Sequence, residues 1–198
     1  MQNGQNKALP DRVWFTGVPG SRWSGIAQII ESTGVFDISD RNSEREYIHS
    51  NFTGHKGMYF GTFMEKPATL DSGTIDSCWS ASGVKLVKSH EWHDRLNCIL
   101  TKYPRDWILL VFRADQTSFQ WWKQAGGFDI KYPCYDFYEN DHKMQKEINI
   151  ANTNYIKFAH QYQLAWETFD RDWVVRNFGE PTEDINQEKY CDVNVAIY

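Results

Sequence analysis

The side chains in this chain with the greatest chemical potential fall into three short stretches, 17-GVPGSRWS-24, 88-KSH-90 and 113-RADQTS-118. In the first, two glycines and a proline turn the chain from an apolar run into a helical pattern. A strand-to-helix turn of this kind exposes unpaired backbone N–H groups at the positive end of a helix dipole, which suits the oxygens of a phosphate or sulfate. Gly20 lets the backbone approach such an anion, Ser21 and Ser24 add hydroxyls, and Arg22 adds a charged fork. In the second, Lys88 and His90 stand two residues apart at the end of a strand-like run, so both can face one cleft. A histidine there takes a proton from a hydroxyl near neutral pH, and a lysine beside it stabilises charge on a leaving oxygen. In the third, Arg113 and Ser118 sit where a strand gives way to a helix, which makes a second anion site.

Each stretch also has a plain structural reading. The glycines can simply make a turn, His90 can cap the next helix, and Arg113 can pair with Asp115 while Ser118 serves as a cap. A zinc site is disfavoured: His90, Glu91 and His93 cluster, but H-E-x-x-H is absent and no cysteine lies near. The four cysteines, Cys78, Cys98, Cys134 and Cys191, form no C-x-x-C pair and read as reduced structural thiols.

The elements that must position these residues can be read from periodicity. Val13 to Thr16, Val84 to Lys88 and Trp107 to Phe112 read as strands, and WILLVF, apolar throughout, suits a parallel strand covered on both faces. Helical patterns run from Ser24 to Ser32 and from His93 to Thr101, so strand and helix alternate, as in an α/β fold with a mainly parallel sheet. Asp37 to Ser82 reads as long loops broken by short elements such as Gly57 to Phe63. Asn140 to Phe178 reads as one long helix, with apolar positions out to Trp166, followed by a shorter one capped near Asp170. The closing run 190-YCDVNVAIY-198 predicts an edge strand.

With 198 residues, 41% of them hydrophobic, the chain suits a single α/β domain spanning 1–198. A net charge of −5 excludes a global basic field, so neither nucleic acid nor an anionic membrane surface is an expected partner. No apolar run reaches the roughly 20 residues of a membrane helix, and the opening MQNGQNKALPD is polar, so a soluble, cytoplasmic protein is expected.

Taken in order, the three stretches resemble the sulfotransferase family that uses 3′-phosphoadenosine 5′-phosphosulfate (PAPS). The likeness rests on 17-GVPGSRWS-24, 88-KSH-90 and 110-LVFRADQTS-118, scattered over about the first 120 residues. It departs from the family's pattern at Gly20, which stands where the family has Lys or Arg, and at Arg22, which stands where it has glycine. Ser118 also follows Arg113 by five residues rather than the family's eight. The resemblance implies a three-layer, P-loop-like fold with a mainly parallel central sheet flanked by helices. It implies transfer of a sulfuryl group from PAPS to a hydroxyl or amine, leaving adenosine 3′,5′-bisphosphate, with no metal required. His90 is then the general base, and Lys88 and Arg22 stabilise the developing charge. Pro19, Gly20, Ser21, Arg22, Trp23 and Ser24 hold the 5′ end of the nucleotide, and Arg113 and Ser118 hold the 3′-phosphate.

The acceptor is a small molecule or carbohydrate. Trp23, Trp79, Trp92, Trp121 and Trp122 can line a sugar-stacking cleft, although most of them suit the core better. Two rivals remain open. A divergent P-loop small-molecule kinase needs a lysine that the first turn lacks, and a non-catalytic nucleotide- or glycan-binding module needs only the anion site.

Overall fold

The computed structural model describes residues 8–40, 46–47, 58–59, 71–129 and 136–198. The strands are β1 (Arg12–Gly17), β2 (Glu46–Tyr47), β3 (Met58–Tyr59), β4 (Lys85–Lys88), β5 (Trp107–Phe112), β6 (Glu167–Thr168) and β7 (Asn194–Ile197). The α-helices are α1 (Trp23–Glu31), α2 (Ser72–Asp76), α3 (Leu96–Lys102), α4 (Asp115–Gln124), α5 (Asp141–Gln161), α6 (Arg171–Phe178) and α7 (Gln187–Tyr190). Short 3₁₀ turns follow β4, at His90–Asp94, and α4, at Gly127–Asp129.

Five strands form one open sheet in the order β4-β1-β5-β7-β6. Alternation along β1 explains why helices cover both faces. Val13 and Phe15 point into a core shared with α1 and α6, and Trp14 points into a second core shared with α3, α4 and α5. Each central strand is therefore buried on both sides, as the unbroken apolar run of β5 requires.

The expected mainly parallel sheet is mixed. β1 runs parallel to β4 and β5, but β7 is antiparallel to both β5 and β6. The cause is the approach of the chain: Asn194, the first residue of β7, pairs with Phe112, the last of β5, so the chain re-enters at the edge where β5 finishes and must run back along it. β7 is not the edge strand expected for the closing run, because β6 lies outside it.

The long helix expected up to Trp166 also ends early. α5 stops at Gln161, Gln163 takes a left-handed φ of 54°, and the Leu164 N–H reaches back to the Ala159 carbonyl. Trp166 instead packs on Phe112 with ring centroids 5.6 Å apart. The sequence has no Gly or Pro at this break, so local pattern gives no signal for it. The Asp170 cap is present, its side chain accepting the Trp173 N–H. Of the segment expected to be long loops, Met58–Tyr59 pairs with Glu46–Tyr47, while the rest of Gly57 to Phe63 lies outside the described residues. Cys98 and Cys191 are free thiols, and Cys134 lies outside the described residues. No described helix is long and apolar enough to cross a membrane.

Candidate functional site

β1, β4 and β5 deliver the three sequence stretches to one end of the sheet. The first turn leaves β1 at Gly17 and is closed by the Ser21 N–H donating to the Val18 carbonyl at 3.0 Å. Gly20, at φ 79°, is required twice over: its φ is left-handed, and a Cβ there would sit 1.9 Å from the Ser118 carbonyl oxygen. Arg22 is left-handed as well, at φ 65°, a conformation that costs a non-glycine residue about 1–2 kcal/mol. α1 then starts at Trp23 with no side-chain cap, so its first-turn N–H groups face the turn without the usual oxygen.

Two polar atoms inside this turn are buried and lack a hydrogen-bond partner among the described residues, Ser21 Oγ and Arg22 Nε. Each such atom costs about 1–3 kcal/mol relative to a satisfied one. The Arg22 guanidinium lies 3.8 Å above the Trp121 ring, and its pKa is lowered, first by burial and then by repulsion from the neighbouring Arg113. An uncapped helix end, an orphaned hydroxyl and a crowded guanidinium pair all favour an anion at the same place.

The second stretch lies against the first. The His90 ring packs 4.1 Å from that of Trp23, and its Nδ1 bonds the Gly17 carbonyl. Because a carbonyl only accepts, Nδ1 carries the proton and Nε2 is the basic nitrogen. Burial pulls the His90 pKa down to about 4, so the imidazole is neutral at pH 7. The cap of the His90–Asp94 turn is Ser89, whose side chain accepts the Glu91 N–H, and not the histidine. Lys88 is the last residue of β4 and His90 opens the 3₁₀ turn that follows, so the strand alternation expected to align them stops short of the histidine. The Lys88 ammonium is 2.6 Å from Glu31, with both side chains buried.

The third stretch closes the turn from the other side. Arg113 donates from Nη1 to the Gly20 carbonyl at 3.1 Å and from Nε and Nη2 to Asp192 at 2.9 and 2.8 Å. Ser118 Oγ donates to the Arg113 carbonyl at 3.2 Å. Arg113 thus fixes the turn and is itself held by a carboxylate from the segment before β7. Asp115, an expected partner for Arg113, instead accepts from Asn149 and Asn152.

Asp192 was not legible as part of the site, since it lies 79 residues from Arg113. Nor was a group on α5: Glu147 accepts from His93 Nε2 at 2.9 Å, and the Asn154 amide donates to His93 Nδ1 at 3.1 Å. Tyr155 OH pairs with Thr16 Oγ1 at the end of β1. Polar positions on a helix carry no such signal in sequence. Of the five tryptophans weighed as cleft-lining, Trp23, Trp79, Trp92 and Trp122 are buried in the two cores, and Trp121 is half-buried under Arg22. Among the described residues no group of three or more His, Cys, Asp or Glu side chains is arranged to hold a metal. Compared with known proteins, the chain matches no family model, no curated protein and no solved structure.

Proposed function

We propose that this protein is a P-loop-like sulfotransferase that moves a sulfuryl group from PAPS to a hydroxyl or amine acceptor. The observation that carries this reading is the pair of buried donors, Ser21 Oγ and Arg22 Nε, that have no partner among the described residues, at the uncapped start of α1, in a turn that touches both His90 and Arg113. These residues fit an anionic 5′ end. When bound, the nucleotide supplies an activated sulfuryl group and a phosphate leaving group.

The chain's own part is positioning and charge, as in phosphoryl transfer. Ser21, Ser24 and the first N–H groups of α1 hold the anion, with Pro19, Gly20 and Trp23 shaping the turn. Arg22 offsets the negative charge that grows on the departing oxygen. His90 Nε2 takes the acceptor proton, and its neutral state at pH 7 leaves it ready to do so. Arg113 and Ser118 stand on the 3′-phosphate side, where Arg113 must share its guanidinium with Asp192.

One observation favours a second reading, a nucleotide- or glycan-binding module without catalysis. Lys88 is assigned to charge stabilisation, yet its ammonium already neutralises Glu31. Thermal-shift measurements separate the readings. Adenosine 3′,5′-bisphosphate without magnesium is expected to stabilise the protein by about 2.7 kcal/mol at a hundredfold excess over Kd. Labelled PAPS with a panel of hydroxyl acceptors then tests transfer. Stabilisation by ATP with magnesium in place of the bisphosphate overturns the proposal in favour of a kinase, and bisphosphate binding without any transfer leaves the module.

A further inference from the structure

The 3₁₀ turn after β4 sits astride the sheet edge. His90 faces the anion-binding turn, and His93, three residues on, faces α5. We propose that Glu147, held by His93, is the acceptor-recognising carboxylate of this site and selects hydroxyl compounds that also carry an ammonium group. The word acceptor rests on the sulfuryl-transfer reading, whereas ammonium binding at Glu147 does not.

Three observations support this. First, the Asn154 amide donates to His93 Nδ1, which leaves the proton on Nε2, where it is donated to Glu147 Oε1. The hydrogen bond from His93 fixes the orientation of the carboxylate. Second, Glu31 is paired with Lys88, Asp192 with Arg113, and Asp76 with Arg12 and Lys85. Among the described residues no Lys or Arg comes within ion-pair distance of Glu147. Third, the Glu147 side chain is 23% exposed and that of His93 10%, so the carboxylate is accessible yet partly desolvated. An ammonium arriving there gains a charge-assisted hydrogen bond in a medium of reduced dielectric. Glu147 is joined through His93 to the same 3₁₀ turn that carries the proposed base, His90, and acts electrostatically on it. An acceptor with its ammonium on Glu147 therefore has its hydroxyl on the His90 side.

The test uses the whole protein, ¹⁵N-labelled at histidine, with 2-aminoethanol and its neutral N-acetyl derivative as probes. 2-Aminoethanol is expected to shift the His93 ring signals saturably, the N-acetyl compound to leave them in place, and Glu147→Gln to weaken the amine response by about tenfold or more. An equal response to the two probes overturns the proposal, as does an unchanged response in Glu147→Gln. The comparison of probes needs only the unmodified protein, so a poorly folded variant does not spoil it. Bisphosphate binding is measured on the same samples. Its loss with amine binding intact overturns the nucleotide reading alone, amine indifference with bisphosphate binding intact overturns the Glu147 proposal alone, and loss of both overturns both.

Discussion

At the amino-terminal end of β1 and β4, opposite charges close on one another. Arg12 forks onto Asp76 at 2.6 and 3.0 Å and reaches Asp106 at 3.4 Å, Lys85 joins Asp76 at 2.9 Å, and Trp14 Nε1 donates to Asp106 at 2.9 Å. Tyr103 covers this group, stacked on Trp14 and lying 5.2 Å below Arg12. At the carboxyl-terminal end of the same strands, the first turn keeps a hydroxyl and a guanidinium N–H buried without partners among the described residues and holds Arg22 in a left-handed conformation. The same strands thus carry a self-satisfied polar group at one end and a strained, under-satisfied one at the other. Strain and orphaned donors persist only where the surrounding structure imposes them, and they cluster where a ligand is to be held. The lesson is that one sheet can be tied down by closed ion pairs at one end while the other end carries backbone strain and unsatisfied donors.

The sharpest way to break this contrast is to remove the lower cation. Arg12→Met leaves the buried Asp106 without its cation and Asp76 with Lys85 alone, and is expected to cost about 3 kcal/mol in urea unfolding. Anion binding at the upper end should survive in the folded fraction. A stability change within about 0.5 kcal/mol would show that the lower group is only a surface network.

Acid tests the upper end. His90 has a folded pKa of about 4 against an ordinary 6.5, so the unfolded chain binds its proton first as pH falls. Its contribution is complete above pH 6.5 and is lost progressively down to about pH 4, by about 3 kcal/mol in all. Unfolding midpoints of the wild type and His90→Asn between pH 7 and 4 should diverge in slope. Parallel slopes would mean that the ring is charged in the folded state.

The same residue has a kinetic signature. His90→Ala is expected to lower turnover by about two orders of magnitude, equivalent to about 2.7 kcal/mol, while keeping its affinity for adenosine 3′,5′-bisphosphate. Equal activity removes His90 from the chemistry. The smallest effect is the most specific one. Ser21→Ala deletes a buried hydroxyl that has no partner, so the ligand-free protein should gain about 1 kcal/mol while its affinity for the bisphosphate falls. A loss of stability in that variant would mean that Ser21 is part of the core and not of an anion site.

Much of the site is legible in the sequence because it depends on short-range order. Gly17 to Ser24 reads as a strand-to-helix turn since glycine, proline and the flanking apolar periods are local signals, and α1 starts where they place it. Val84 to Lys88 reads as a strand from its β-branched and apolar run, and β4 spans Lys85–Lys88, whereas the 3₁₀ turn that takes up His90 has no such local signal. The partners of these residues are not legible there. Glu31 on Lys88, Asp192 on Arg113 and Glu147 on His93 lie 57, 79 and 54 residues away, and an acidic residue in sequence looks the same whether water or a guanidinium awaits it.

Residue order alone is enough to read the alternation of strand and helix, the doubly covered β5, the bend at Gly20 and the chemistry of the side chains at the strand ends. These follow from backbone sterics and from apolar periods of two and 3.6, which act over a few residues. The antiparallel entry of β7, the early end of α5 and the pairing of particular charges with one another came from tertiary packing. Those outcomes depend on contacts between segments distant in the chain, because a charge is neutralised or stranded by what packs against it.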